Sequence, residues 1–342
     1  MRQRKHRPPS VLAVKRLRQT DMSKHATSFE RLRVGVVGVG YLGRFHALIY
    51  SRMAAVELVG VVDSDFDRAH AIAAEANCAC YKHPTDLIGK VDAVSVVVPT
   101  TAHLEVAAPL LTHGIPVLLE KPIASTVAEG AEIVRLAQQH GALLQIGHVE
   151  RFNAGVMALA QRIDSPLYLE AQRMGSFVER ATDVDVVSDL MIHDIDIILS
   201  LVNAEISAIS AVGASVLTPH VDIANARLEF ANGTVANVVA SRVSDKTTRR
   251  IRVFQFRRYL SLDFITQTID LAETCAVSGA IRPEIMREQI VVEPIKPLDL
   301  ELAEFVRCVQ TQQPPLVDGN TGLRALKVAL DVRARITSAS AK

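Results

Sequence analysis

The chain has no tryptophan, few aromatic residues (4% of 342) and a formal net charge of only +1. A protein so nearly neutral carries no general field for a polyanion, so neither nucleic acid nor an anionic membrane surface is the expected partner. Its four cysteines, Cys78, Cys80, Cys275 and Cys308, lack the paired C-x-x-C spacing of a zinc site. No apolar N-terminal segment ends in a cleavage site, which points away from an oxidising compartment. The thiols therefore read as reduced packing groups, and no metal is expected. No apolar run reaches the roughly 18 to 20 residues needed to cross a bilayer. The expectation is a cytoplasmic protein without a membrane partner.

What is present is a large apolar fraction, 49%, in a chain longer than one core usually serves. Two domains are expected behind a basic extension. Residues 1–30 set Arg2, Arg4, Lys5, Arg7, Lys15, Arg16 and Arg18 around Pro8-Pro9 with little apolar periodicity, and read as a disordered, solvated tail. A basic arm for RNA, membrane or import is the functional alternative. Met22 lies shortly before the first strand, so a start there would still supply the fold; the intact mass of the native protein decides the point.

From Leu32 onward, short β-branched runs at 33–37, 56–63, 93–98, 116–120 and 143–149 alternate with helical stretches at 69–76, 103–112 and 127–140. Strands this apolar are buried on both faces, which predicts a doubly wound parallel sheet of α/β class over residues 31–149. After residue 150 the texture changes. A helix at 156–163, a strand at 167–174 and a helix at 188–202 precede consecutive strand-like segments at 205–216, 224–230, 234–241, 249–255 and 259–264, with Asn232-Gly233 as a hairpin signal. Strands that follow one another without helices make an antiparallel sheet, so residues 150–342 are expected to form an α+β domain with a large open sheet, closed by helices at 298–310 and 322–336.

Three clusters carry chemistry. Gly38-x-Gly40-x-x-Gly43 stands between a strand and a helix: Gly38 permits a tight turn, Gly40 admits a pyrophosphate to the backbone, and Gly43 lets the helix pack on the strand. The amides of Tyr41 and Leu42 open that helix. Asp63, at the end of the second strand, suits the adenosine ribose hydroxyls, with Ser64 beside it. Asp65 adds a second carboxylate that would repel a 2′-phosphate, so NAD is expected over NADP, although Arg68 lies close enough to reach back. A structural glycine turn is the bland alternative.

Glu120-Lys121-Pro122 closes a buried parallel strand at the edge where ligands bind in open α/β sheets. An ammonium there can hold a substrate hydroxyl and stabilise the alkoxide that forms as hydride leaves; otherwise Glu120 makes a salt bridge and Lys121 snorkels to water. Asp189 and His193 are four apart in a predicted helix, so the carboxylate can orient an imidazole acting as general base, or the two form an ordinary surface pair.

In order and spacing these residues resemble the Gfo/Idh/MocA family of NAD(P)-dependent sugar dehydrogenases. The resemblance runs from Arg31 through Pro99-Thr100-x-x-His103 to the closing Pro315-x-Val317-Asp318-Gly319-x-x-Gly322-Leu323. It implies that Lys121 contacts the reacting hydroxyl, that Asp189 and His193 form the base pair, and that Pro99, Thr100 and His103 lie along the nicotinamide half of the cofactor with Glu120 nearby. Within the family, Gly147-His148-Val149-Glu150-Arg151-Phe152-Asn153 looks like the branch that oxidises the 3-hydroxyl of UDP-N-acetylglucosamine for lipid A amino-sugar synthesis, in which an aminotransferase acts next. Branch relatives usually place proline after Asn153, where this chain has Ala154. His148, Arg151, Phe152, Asn153, Arg173 and Arg180 join Lys121 and His193 as substrate candidates, the arginines for a diphosphate and Phe152 or Phe177 for uracil. The resemblance also implies a homodimer or homotetramer, in which a twofold partner buries the open sheet. A dehydrogenase of free inositol or sugars, and a non-catalytic NAD-binding sensor, stay open as alternatives.

Overall fold

The computed structural model describes residues 31–177, 184–275 and 284–340. The basic extension 1–30 and Arg180 lie outside the described residues. The first sheet has six parallel strands: β1 (Leu32–Val37), β2 (Val56–Val62), β3 (Ala79–Tyr81), β4 (Ala93–Val96), β5 (Val117–Glu120) and β6 (Leu144–Gly147), in the order β3-β2-β1-β4-β5-β6. The reversal between β1 and β4 creates the crevice at which open α/β sheets bind ligands.

Alternation along each strand decides which layer a side chain joins. On β5, Leu118 packs with one cluster while Val117 and Leu119 pack with the other. The first cluster is covered by α1 (Tyr41–Arg52) and α2 (Phe66–Ala76), the second by α3 (His103–Thr112) and α4 (Val127–Gln139). Asp65 caps α2 by accepting the Arg68 amide, and Thr126 with Glu129 forms a capping box on α4. Strand β3 escaped the sequence reading because three half-exposed residues at a sheet edge leave no hydrophobic period.

Helix α5 (Ala154–Ala160) leads into the second sheet: β7 (Pro166–Met174), β8 (Ile206–Ala214), β9 (Ile223–Phe230), β10 (Val235–Ser241), β11 (Thr248–Gln255), β12 (Arg258–Asp263), β13 (Thr268–Cys275) and β14 (Glu284–Val291). Their order is β14-β13-β12-β11-β7-β10-β9-β8, antiparallel throughout except where β7 runs parallel to β10. Between β7 and β8 a wide π turn over Val187–Met191 continues into α6 (Ile192–Leu201). The face toward α6 is lined by small residues such as Ala171, Ala224, Ala226 and Ala240, which let the helix lie close, with Val238, Ile251 and Leu262 filling the remainder. Strands β13 and β14 were not expected from sequence. β14 is exposed along almost its whole length, so its residues show no buried alternation to read.

The closing helices return to the first domain. Leu302, Phe305 and Val306 of α7 (Pro297–Thr311) join the cluster under α1 and α2. In α8 (Gly319–Ser340), Leu323 and Leu326 pack with the parallel sheet, and Val328, Val332 and Ile336 with the second core. Val317 accepts a hydrogen bond from the Ile146 amide at 2.9 Å, extending the edge of β6. One helix thus belongs to both cores and fixes the angle between them.

The loop after β8 fixes the start of the π turn. Asp222 is fully buried and accepts the amides of Val216, Leu217 and Thr218 at 2.7–2.9 Å, while Val221 accepts the Val186 amide at 2.9 Å. Burial opposes the charge of Asp222, yet the Thr218, Leu217 and Val216 amides hold its pKa down to about 2 from an ordinary 3.8. A depressed carboxylate stabilises the fold above its unfolded pKa, and that contribution fades as pH falls toward about 2. Asp222→Ala is therefore expected to cost about 2 kcal/mol or more at neutral pH, with the gap to wild type narrowing in thermal denaturation between about pH 4 and pH 2. Equal melting temperatures at pH 7 would contradict this account.

Candidate active site

The glycine turn is shaped by contacts its neighbours cannot give up. Gly38 has φ +84°, and a Cβ there would stand 2.6 Å from the Val97 carbonyl oxygen. A Cβ on Gly43 would fall 1.8 Å from the carbonyl oxygen of Gly38. Gly40 differs: a Cβ there meets nothing nearer than Arg68 Nη1 at 3.8 Å, so the space beside it is open. Helix α1 starts at Tyr41 with no side chain capping it and no acidic residue in its first turn. An uncapped helix N-terminus above an open backbone fits the pyrophosphate of a dinucleotide. Asp63, buried at the end of β2, accepts the Val39 amide at 2.8 Å and the Asp65 amide at 2.9 Å, which fixes its carboxylate for a ribose. Arg68 does reach back: Nη1 lies 3.6 Å from Asp63 and Nη2 2.8 Å from Asp65. Ser64 is exposed beside them, as are Tyr41 and Leu42 at the helix start.

At the C-terminal end of β5, Glu120 is buried against Gly147, where a Cβ would lie 2.7 Å from Glu120 Oε1. Its carboxylate accepts the Lys121 amide at 3.2 Å and lies 3.3 Å from His46 Nε2. Lys121, 18% exposed, donates from Nζ to the Asp189 carbonyl at 2.9 Å and stands 3.6 Å from Asp189 Oδ1. Burial pushes the Lys121 pKa below its ordinary value, partly offset by the carboxylates of Asp189 and Glu120. Lys121 and Asp189 line a cavity of about 420 Å³ between the domains, with Pro99, Thr100, Ser125 and Arg333 among its other walls.

The structure revises several site expectations. Asp189 turns to Lys121 and not to His193, because it sits in the π turn, where the four-residue stacking of an α-helix is lost. His193 is half-buried on α6, its Nδ1 without a hydrogen-bond partner among the described residues. Burial and the nearby charges of Lys121 and Arg173 hold its pKa well below 6.5, so the imidazole is neutral at physiological pH. His103 is buried with Nδ1 3.2 Å from the Ile123 carbonyl and Nε2 3.1 Å from that of Val98, so it braces two loops and does not face the cavity. Phe152 packs in the core of the first domain, and Asn153 caps α5 by accepting the Gly155 amide. Arg173 is buried in bonds to both oxygens of Asp194, at 2.9 and 3.0 Å, and to Glu150 at 2.8 Å. Arg151 lies 3.4 Å from Asp196, and His148 is buried 4.0 Å from the same carboxylate. Neither arginine has its charge to spare for a diphosphate.

Two residues were missed in the sequence. Glu301 of α7 is fully buried with neither carboxylate oxygen hydrogen-bonded among the described residues; burial, then the charge of Glu120, raises its pKa well above the ordinary value. Only the return of α7 to the first domain makes it visible. The other is Arg249, discussed below.

Residues 32–148 match the oxidoreductase family with NAD-binding Rossmann fold, GFO/IDH/MocA, and residues 145–255 match the C-terminal domain of that family. UDP-N-acetylglucosamine 3-dehydrogenase of Acidithiobacillus ferrooxidans is 38% identical over 306 residues, covering 89% of this chain and 97% of its own. The chain belongs to the Gfo/Idh/MocA family. A solved structure of that enzyme superposes with a TM-score of 0.86 at 37% identity, over 91% of this chain and 99% of the other. An inositol 2-dehydrogenase of Ralstonia nicotianae is 34% identical over 179 residues, 49% of this chain and 53% of its own. This Gfo/Idh/MocA member is thus an oxidoreductase whose relatives include dehydrogenases acting on sugar hydroxyls, with the parallel and mainly antiparallel sheets read from its sequence. Among the described residues no helix is long and apolar enough to cross a membrane.

The two helix-opening glycines are expected to separate folding from nucleotide binding. Gly43→Ala drives a Cβ into the Gly38 carbonyl and should lower the melting temperature, while Gly40→Ala meets only open space and should keep the melting temperature yet weaken NADH binding, read by fluorescence titration. Undiminished NADH affinity in Gly40→Ala would show that the backbone there is not the pyrophosphate seat.

Proposed function

We propose that this protein oxidises the 3-hydroxyl of UDP-N-acetylglucosamine to the 3-keto sugar with NAD as hydride acceptor. The observation that carries the reading is Lys121: a half-buried ammonium at the end of β5, held by the second domain's Asp189 over the interdomain cavity. Identity of 38% to UDP-N-acetylglucosamine 3-dehydrogenase over 89% of the chain supports the substrate. Asp63 and Asp65, with Arg68 committed to both, support NAD over NADP. A 3-keto sugar suits an aminotransferase as the next enzyme, as in lipid A amino-sugar synthesis, in the cytoplasm. The apolar Ile285, Met286 and Val291 exposed on β14 are consistent with a homodimer or homotetramer.

Nicotinamide, when bound, accepts the hydride from C3. Lys121 Nζ donates a hydrogen bond to the substrate oxygen and stabilises the negative charge that grows on it as C–H cleavage proceeds. Asp189 holds Lys121 from the helix side, through its carbonyl at 2.9 Å and its carboxylate at 3.6 Å. His193, neutral at physiological pH, takes the hydroxyl proton. Thr100 and Pro99 wall the same cavity, and Glu120 fixes the Lys121 main chain from below.

Absorbance at the reduced-nicotinamide band tests the assignment, with NAD, a panel of UDP-N-acetylglucosamine, UDP-glucose and myo-inositol, and a 2-oxoglutarate-dependent aminotransferase to draw the product off. A signal confined to UDP-N-acetylglucosamine is expected; reduction with inositol alone would assign the chain to its inositol-oxidising relatives. Lys121→Ala should lower kcat by about 10²–10³-fold, as loss of a single oxyanion donor does, with NAD affinity nearly unchanged. The pH profile of kcat/KM is expected to be bell-shaped. His193 is competent only when neutral and its pKa is depressed, so the acid limb falls below pH 6.5. Lys121 is competent only as the ammonium and its pKa is also depressed, so the alkaline limb falls below pH 10.5. An acid limb at or above pH 6.5 would remove His193 from the role of base.

A further inference from the structure

The cations near Lys121 and α6 are unequally matched. Arg173 is paired with Asp194 and Glu150, Arg151 with Asp196, and Lys121 with Asp189. Arg249 is different. It stands directly opposite Arg173 in the antiparallel β7–β11 pair, so both side chains leave the same face of the sheet, the one over which α6 and His193 lie. Its neighbour Arg250, on the other face, meets Asp263 at 3.5 Å. Arg249 sits at the start of β11, is exposed, and among the described residues has no carboxylate partner. Its charge reaches the buried groups below, acting on both His193 and Asp194. Among the described residues the Arg249 guanidinium is therefore left without a carboxylate, on the sheet face shared with Arg173 and close enough for its charge to act on His193.

We propose that Arg249 binds the diphosphate of the substrate and so selects nucleotide-sugars over free sugars and cyclitols. The inference rests on the nucleotide-sugar reading above. Planar guanidinium donors match pairs of phosphate oxygens, and in a nucleotide-sugar the diphosphate lies one pyranose ring away from the 3-hydroxyl that Lys121 would hold. A free cyclitol offers Arg249 no anion.

The test is calorimetric titration of UDP into the full-length protein with NAD bound, for wild type, Arg249→Gln and Arg249→Lys. UDP is expected to bind wild type and to bind Arg249→Gln roughly ten- to a hundred-fold more weakly, the worth of a charged hydrogen-bond pair, with Arg249→Lys between them. NAD affinity and melting temperature should stay unchanged and show that the variants fold. KM for the UDP-sugar should rise with kcat much less affected, since the contact is the same in ground and transition states. Equal UDP affinity in wild type and Arg249→Gln would overturn the role of Arg249 and leave the nucleotide-sugar reading standing. Failure of UDP to bind the wild type would overturn both.

Discussion

A half-buried ammonium needs partners, and Lys121 draws them from both domains. Its backbone is fixed by Glu120 at the end of a parallel strand, and its Nζ is taken up by the carbonyl and carboxylate of Asp189 from the second domain. Placing a cation out of water is costly unless its donors are satisfied, so the angle between the domains and the position of the π turn have to be right together. Much of the remaining structure serves that requirement. α8 threads through both cores and sets the angle; the Asp222 loop anchors the start of the π turn; Gly147 is small because Glu120 occupies the space above it.

The electrostatics beside Lys121 form a graded set. Three buried or half-buried carboxylates, Glu150, Asp194 and Asp196, hold Arg173 and Arg151 in place. Burial, with the charges of Lys121 and Arg173, keeps His193 neutral. That neutrality does not arise from a hydrogen bond to Asp189, which turns to Lys121.

The parallel sheet was legible because strands buried on both faces must be apolar throughout, and the glycine turn because only glycine tolerates φ +84° at residue 38. The helices 103–112 and 127–140 were read almost to the residue, from their length and Ala/Leu content between buried strands. The second domain was legible where its strands alternate and illegible at β14, which has no buried face within one chain. For the site, the residue types and their neighbourhood were readable, but the pairings were not. A four-residue spacing suggests a shared helical face, and a π turn undoes it without any mark in the spacing itself.

Sequence by itself determined the class of the fold, the nucleotide turn with Asp63, and the presence of Lys121 at a strand end, since each follows from local backbone limits and hydrophobic period. Tertiary structure alone decided which charges are already spent. Whether Arg173 meets Asp194 or a phosphate, whether Asp189 serves Lys121 or His193, and whether Arg249 stands unmatched depend on side chains far apart in the chain and within a few ångströms in space. Charge pairing depends on distance across the fold, and no local pattern encodes it.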